Sequence, residues 1–195
     1  MNFFLNIFKL LPPEVSHTLA LKSLNILYRT NLLKLFYKPV KTHDFNLLGL
    51  NFKNKLGVAA GLDKNGEYID CLAALGVGFI EIGTVTPKAQ PGNKKPRLFR
   101  DINNKSILNR LGFNNKGVDR IVKNIKARKS HIPIGISIGK NFDTSNENAC
   151  QDYKICMEKV YEFSSYIAIN ISSPNTQDLR KLSGEVYLDS LLSEL

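Results

Sequence analysis

The 195-residue sequence predicts an α/β fold: a (β/α)8 TIM barrel of which about the first four β-α units are present, preceded by an N-terminal helical hairpin. Three observations predict it. From Phe45 onward, short strand-like and helix-like segments alternate, which implies a parallel sheet. The chemistry-bearing polar residues fall just after the strand ends, as Asp63-Lys64, Thr84, Lys140-Asn141, Asn170 and Ser172-Ser173-Pro174-Asn175. The first 44 residues have a different, purely helical texture. A doubly wound sheet would share the alternation, so the second observation decides: a barrel carries its chemistry on the C-terminal face of its strands.

Residues 1–44 are read as one unit. Phe4, Ile7, Phe8 and Leu11 recur at helical spacing, and Pro12-Pro13-Glu14 ends that stripe and opens a second helix toward Arg29, in which Leu21, Leu24 and Tyr28 keep the period. The opening apolar run is far shorter than the ~20 residues that span a bilayer and carries Lys9, so it reads as neither a spanning helix nor a signal peptide. Six cations against Glu14 and Asp44 leave this unit at +4. Such a basic, aromatic-bearing hairpin suits an anionic membrane surface, and it equally suits a cap on its own domain; the pattern leaves both open.

Residues 45–195 are read as the barrel unit. The elements expected in order are a small hairpin from Phe45 to Phe52 turning at Gly49, a strand Leu56 to Gly61, a helix Tyr68 to Leu75 and a strand Phe79 to Gly83. A hairpin between Arg97 and Asn109 follows, then a helix Val118 to Lys129, a strand Ile134 to Gly139, a helix Ala149 to Phe163, a strand Tyr166 to Ser172, and a helix beginning at Tyr187 to Leu192. A complete barrel takes ~250 residues, so the fold is expected to stop partway round. That leaves two unpaired sheet edges and apolar faces, and the 195 residues alone are expected to aggregate and to lack activity.

Composition narrows the function classes. With 43% hydrophobic and 23% charged residues the chain is a globular one, not a disordered one. Its net charge of +10 suits an anionic partner, but the lysines (Lys53, Lys55, Lys94, Lys95, Lys123, Lys126) are scattered and not interleaved with aromatics, so nucleic acid is not favoured. Cys71, Cys150 and Cys156 lack C-x-x-C spacing, and His17, His43 and His131 are far apart, so no disulfide framework or metal site is read. Cys71 and Cys156 fall in helical patterns, where a buried small hydrophobe is expected.

Three blocks carry chemistry. Ala59-Ala60-Gly61-Leu62-Asp63-Lys64-Asn65-Gly66 follows the first barrel strand; its small residues let the backbone approach a flat ring or phosphate, and Lys64 offers a fixed positive charge. Gly83-Thr84-Val85-Thr86-Pro87 places a hydroxyl at a strand end and leads into a long excursion that returns through Asn109-Arg110-Leu111-Gly112-Phe113. Asn109 has the donors and acceptors to read a planar ring of amides. Ile169-Asn170-Ile171-Ser172-Ser173-Pro174-Asn175-Thr176 converges two amides and hydroxyls on one strand end, and no histidine near Ser173 supports a hydrolase-type pair. Each block alone is also an ordinary turn.

Together and in order, these blocks resemble the class 2 dihydroorotate dehydrogenases, the quinone-reducing branch of the FMN barrels, over essentially the whole chain; the runs Ala59 to Glu67 and Asn170 to Asn175 are the specific ones. The resemblance implies FMN bound by Ala60, Gly61, Leu62, Asp63, Lys64 and Thr84. It implies a dihydroorotate/orotate site of Lys64, Asn109, Arg110, Leu111, Gly112, Phe113, Asn170 and Asn175, with Asn170 touching FMN as well. Ser173 matches the catalytic base, with Lys64 stabilising developing negative charge, and Phe113 and Thr176 match positions flanking the proton path. His17 and Arg100 match quinone-access positions. The soluble class uses cysteine as base and lacks the N-terminal extension, so both features indicate the membrane class. One departure is Ser137: the family usually has an FMN-contacting asparagine there, and serine is shorter.

The resemblance further implies oxidation of dihydroorotate to orotate, hydride passing to FMN and electrons to a membrane quinone, in de novo pyrimidine (UMP) biosynthesis. It implies a peripheral position on the cytoplasmic side of the bacterial inner membrane. Two rivals remain. One is a non-catalytic half-barrel with membrane-touching helices. The other is an FMN-dependent barrel like the tRNA-dihydrouridine synthases, whose cysteine acid has no counterpart after a strand end here.

Overall fold

The computed structural model describes residues 8–37, 43–176 and 178–195. Residues 8–10 are helical, and the chain breaks at Pro12 into helix α1 (Pro13–Arg29). Proline at the first helical position has the right φ and no N–H to orphan, while Glu14 and Arg29 sit at the ends that the helix dipole favours for their charges. Leu21 is the buried apolar anchor of α1, and Leu24 packs partly buried against the same core. A short helix α2 (Leu33–Phe36) follows. Phe4 and Ile7 of the expected first stripe lie outside the described residues.

Strands β1 (Phe45–Leu47) and β2 (Leu50–Phe52) form the expected antiparallel hairpin, turning through Leu48 and Gly49 at positive φ. Its paired Phe45 and Phe52 rings stack at 5.3 Å, and Phe52 meets Phe79 edge-on at 5.6 Å, which seats the hairpin on the main sheet. That sheet is parallel, in the order β3 (Gly57–Val58), β4 (Phe79–Val85), β7 (Ile134–Ile138), β8 (Tyr166–Ile169). Between β4 and β7 come the antiparallel hairpin β5 (Leu98–Asp101) and β6 (Ser106–Asn109) and then helix α4 (Val118–Lys126). Helix α3 (Ile69–Ala73) links β3 to β4, α5 (Ala149–Val160) links β7 to β8, and α6 (Glu185–Glu194) follows β8. Each strand pairs with its predecessor in the sheet, an order that fits a TIM-barrel family.

The strand period of two separates the faces. Ile80, Ile82, Ile134, Ile136 and Ile138 are wholly buried and form one core with Ile121 and Ile125 of α4, and Tyr153, Cys156 and Val160 of α5. The opposite face uses glycines opposite rings. Phe79 lies across Gly57 and Tyr166 across Gly135, its register partners; a Cβ on Gly135 would come within 2.1 Å of the Tyr166 ring. Cys71 and Cys156 are buried helical thiols, as their patterns predict.

Element ends differ from the expected ones where side chains or tight turns take over the backbone. The strand expected over Leu56 to Gly61 is only Gly57–Val58, because the chain from Ala59 bends into a turn whose Gly61 N–H bonds the Gly83 carbonyl at 2.9 Å. The strand expected to reach Ser172 stops at Ile169. The helix expected to reach Lys129 ends at Lys126, and the Lys129 and Ser130 N–H groups turn to Asp70 Oδ1, each at 2.9 Å. The helix expected to reach Phe163 tightens into a 3₁₀ turn from Tyr161.

Candidate active site

The C-terminal ends of β3, β4 and β8 and the loop after β6 enclose a cleft of about 300 Å³. Ala60, Gly61 and Lys64 come from the loop after β3, Gly83 and Thr84 from β4, Asn109, Leu111, Gly112 and Phe113 from the β6 end, and Asn170, Ser173 and Asn175 from the β8 end. Residues separated by more than a hundred positions thus share one wall, because parallel strands bring all their C-terminal ends to one side.

The cleft is knitted by hydrogen bonds that fix side-chain directions. Asn170 Nδ2 donates to Thr84 Oγ1 at 2.8 Å, and Thr84 Oγ1 lies 2.9 Å from Ser137 Oγ on β7. Asn170's own carbonyl is held by the buried Tyr153 hydroxyl at 2.9 Å. Asn175 Nδ2 donates to Asn109 Oδ1 at 3.3 Å, and Asn93 Nδ2 donates to the Asn175 carbonyl at 3.2 Å, tying the β8 loop to the excursion after β4. Ser173 Oγ accepts the Asn175 N–H at 3.2 Å, a bond that occupies one of its lone pairs and not its hydrogen. Thr176, three residues on, is buried with its hydroxyl oxygen unpartnered among the described residues.

Lys64 is half-buried and donates to the Gly61 carbonyl at 2.8 Å. Burial holds its ammonium below the ordinary lysine range; Arg97 pushes the same way, while Glu14 and Asp63 favour the charged form. Lys64 is therefore a poorly solvated cation, the state in which it gains most from an anionic ligand.

The cleft floor fits a flat ring. A Cβ on Gly61 (φ 106°) would meet nothing within 4 Å, so bare backbone faces open space there. Gly139 is different: a Cβ would come within 2.9 Å of Thr84 Cγ2 and 3.0 Å of the Phe113 ring, so only glycine lets those two walls close. Phe113 itself holds a left-handed φ of 50°, a strain of about 1–2 kcal/mol that places its ring in the cleft.

Several predicted residues do not face this cleft. The Asp63 carboxylate turns to the helix that follows, accepting the Glu67 N–H at 2.9 Å and the Tyr68 N–H at 2.7 Å; burial pushes its pKa up while those N–H groups pull it down. Leu62 and Asp63 line a neighbouring cavity instead. Arg110 points outward, with Nη2 donating to the Pro96 carbonyl at 3.0 Å and its guanidinium over the Phe99 ring at 5.8 Å. Lys140 is buried and donates to the Thr144 carbonyl at 2.6 Å, and Asn141 is spent on a buried network. In that network Asn141 Nδ2 donates to Thr86 Oγ1, Lys88 O and Gln90 Oε1, while Asn115 Nδ2 donates to Thr86 Oγ1 and Phe113 O. It clamps the loops after β4, β6 and β7 to one another, and sequence reading missed it; only the placing of Thr86 and Asn141 beyond strand ends hinted at it.

A cavity of about 650 Å³ opens between α1 and the loop after β3. His17 lines it and its Nε2 is 2.7 Å from the Leu62 carbonyl. Glu14 Oε1 accepts from Arg97 Nε at 3.1 Å and Nη2 at 3.0 Å. Arg100 does not line the cavity: it donates to the carbonyls of Leu11 at 2.6 Å, Phe8 at 3.1 Å and Lys9 at 3.2 Å and to Ser16 Oγ at 2.9 Å, capping the helical run before Pro12. Two arginines on the β5 side thus pin the N-terminal helices. Among the described residues no cluster could hold a metal ion, and no helix is long and apolar enough to cross a membrane.

Comparison with known proteins adds a family. The family described as "Dihydroorotate dehydrogenase" matches residues 43–195. Similar proteins named "Dihydroorotate dehydrogenase (quinone)" include one from Buchnera aphidicola subsp. Schizaphis graminum, 53% identical over 95% of this chain and 55% of its own length. Another, from Nitrosospira multiformis, is 53% identical over 95% of this chain and 53% of its own. Among solved structures, DHODH from Eimeria tenella in complex with ferulenol superposes with a TM-score of 0.78 at 35% identity, covering 93% of this chain and 50% of that one. Its ligand-free form gives 0.77 at 37% identity, covering 90% and 51%. The chain spans about half the length of the curated relatives it matches.

Proposed function

The chain belongs to the dihydroorotate dehydrogenase family, and from that premise we propose that the protein oxidises dihydroorotate to orotate with FMN as hydride acceptor and a membrane quinone as final acceptor, in pyrimidine biosynthesis. The observation that carries the reading is the shared cleft of Ser173, Lys64, Asn109, Asn170 and Asn175 over a bare-backbone floor at Gly61. FMN bound there would supply the acceptor for the hydride leaving C6 of dihydroorotate. Ser173 takes the proton from C5. A serine hydroxyl is a poor base at neutral pH, so it must pass its own hydrogen on, along a route that Thr176 and Phe113 flank. Lys64, underprovided with solvent, stabilises the anionic substrate and the charge that develops on it. Asn109 and Asn175, bonded to each other, present the remaining amide donors and acceptors to the pyrimidine ring.

The quinone half of the reading is supported by the 650 Å³ cavity that His17 lines under α1. A peripheral site on an anionic membrane surface, the cytoplasmic side of a bacterial inner membrane, is supported by exposed Leu10, Leu35 and Phe36 on basic N-terminal helices. The decisive experiment is anaerobic stopped-flow reduction of bound FMN by dihydroorotate in the intact protein. Ser173→Ala should slow flavin bleaching by about 10²–10⁴-fold; bleaching at the unaltered rate refutes the assignment.

A further inference from the structure

Ser137 is 2% exposed, and among the described residues the one hydrogen-bond partner of its hydroxyl is Thr84 Oγ1, 2.9 Å away on the neighbouring strand. Thr84 Oγ1 also faces the Asn170 side-chain amide at 2.8 Å. The orientation of that amide is fixed independently: the Ser172 backbone N–H, which can only donate, bonds its other end at 3.2 Å, so the end facing Thr84 is the NH₂. A hydroxyl has one hydrogen and two lone pairs. If Thr84 gave its hydrogen to Ser137, the Ser137 hydrogen would be buried without an acceptor, which costs more than the bond gains. The reverse arrangement leaves no hydrogen of the three groups buried away from the cleft without an acceptor. Ser137 and Asn170 both donate to Thr84, filling its lone pairs, and the Thr84 hydrogen is left to point into the cleft that Thr84 lines.

We propose that Ser137 is a positioning residue that makes the Thr84 hydroxyl an obligatory donor to the cleft, so that the ligand edge beside Thr84 must present a carbonyl oxygen or an unprotonated ring nitrogen. Ser137 does not itself line the cleft; it acts through Thr84. The inference rests on the flavin reading above and deepens it: FMN is held with an acceptor atom of its ring at Thr84.

The test is FMN affinity by flavin-fluorescence titration, together with the flavin absorption spectrum, for the intact protein and its Ser137→Ala, Ser137→Thr, Thr84→Val and Ser137→Ala/Thr84→Val variants. Ser137→Ala should weaken FMN binding about three- to tenfold, the worth of one hydrogen bond, and shift the flavin bands. Ser137→Thr, which keeps the hydroxyl, should restore both. In the Thr84→Val background Ser137→Ala should change nothing further, whereas a merely structural serine would add its full loss again. The proposal is overturned if Ser137→Ala binds within about twofold of the parent with the same spectrum, or if its loss is undiminished beside Thr84→Val. A parent protein that takes up no FMN would overturn the flavin reading and this inference with it, a result distinct from normal uptake that is indifferent to Ser137.

Discussion

Removing the Glu14 carboxylate should loosen the seam between α1 and the rest of the fold. Arg97 has only 7% of its side chain exposed, and Glu14 Oε1 receives two of its N–H groups, at 3.0 and 3.1 Å. Nη1 keeps the Pro91 and Asn93 carbonyls whatever happens to Glu14. Breaking a buried pair by deleting one partner costs about 3–5 kcal/mol. Glu14 is 26% exposed, so water reaches the vacated side and two carbonyl bonds survive; the expected loss for Glu14→Ala is about 2–3 kcal/mol. Glu14→Gln keeps an oxygen for the guanidinium and should cost about 1 kcal/mol. The natural control is Lys95→Ala, since Lys95 sits 3.9 Å from Glu14 with 69% exposure and should change stability by at most about 0.5 kcal/mol. Urea unfolding of the intact protein followed by circular dichroism, with midpoints compared at a common slope, measures all three. If Glu14→Ala unfolds no earlier than Lys95→Ala, the buried pair does not hold the seam. Glu14 also favours the charged form of Lys64, so the same variant should lower the Lys64 pKa further.

Gly139→Ala should push a methyl against Thr84 Cγ2 and the Phe113 ring, costing about 1–3 kcal/mol in the same unfolding assay and weakening FMN uptake; wild-type values for both would refute the close packing of those walls. Stability should also fall on the alkaline side. Burial pushes the Cys71 thiol up to about 11 and Cys156 to about 12, from an ordinary value of 9.0. The folded state therefore holds protons that the unfolded chain releases, and the stability these thiols contribute is intact below about pH 9 and lost as pH rises through 11 and 12, by about 1.4 kcal/mol per unit per thiol. Burial also raises Tyr153 and Tyr166, the latter beside Glu81, which extends the decline. Melting temperatures between pH 8 and 10.5 should drop, and less steeply in Cys156→Ala; a slope that Cys156→Ala leaves unchanged would contradict the assignment.

Much of this protein was legible in order of residues alone. The alternation of strand and helix, the break at Pro12-Pro13, and the placing of Lys64, Thr84, Asn170, Ser173 and Asn175 just after strand ends follow from local periodicity and turn chemistry, while Asn109 joined them through the family resemblance. Where each side chain points did not. Asp63 turns to the N–H groups of Glu67 and Tyr68, Arg110 turns out to the Pro96 carbonyl, and Arg100 caps carbonyls some ninety residues earlier. The Thr86–Asn115–Asn141 clamp and the Ser137–Thr84–Asn170 chain likewise join residues dozens of positions apart. Periodicity specifies which face of an element a residue occupies, because that depends only on its neighbours in the chain. A hydrogen bond between strands depends on their register to within an ångström, and register is settled by packing that only the assembled sheet provides, such as the Tyr166 ring seated over Gly135.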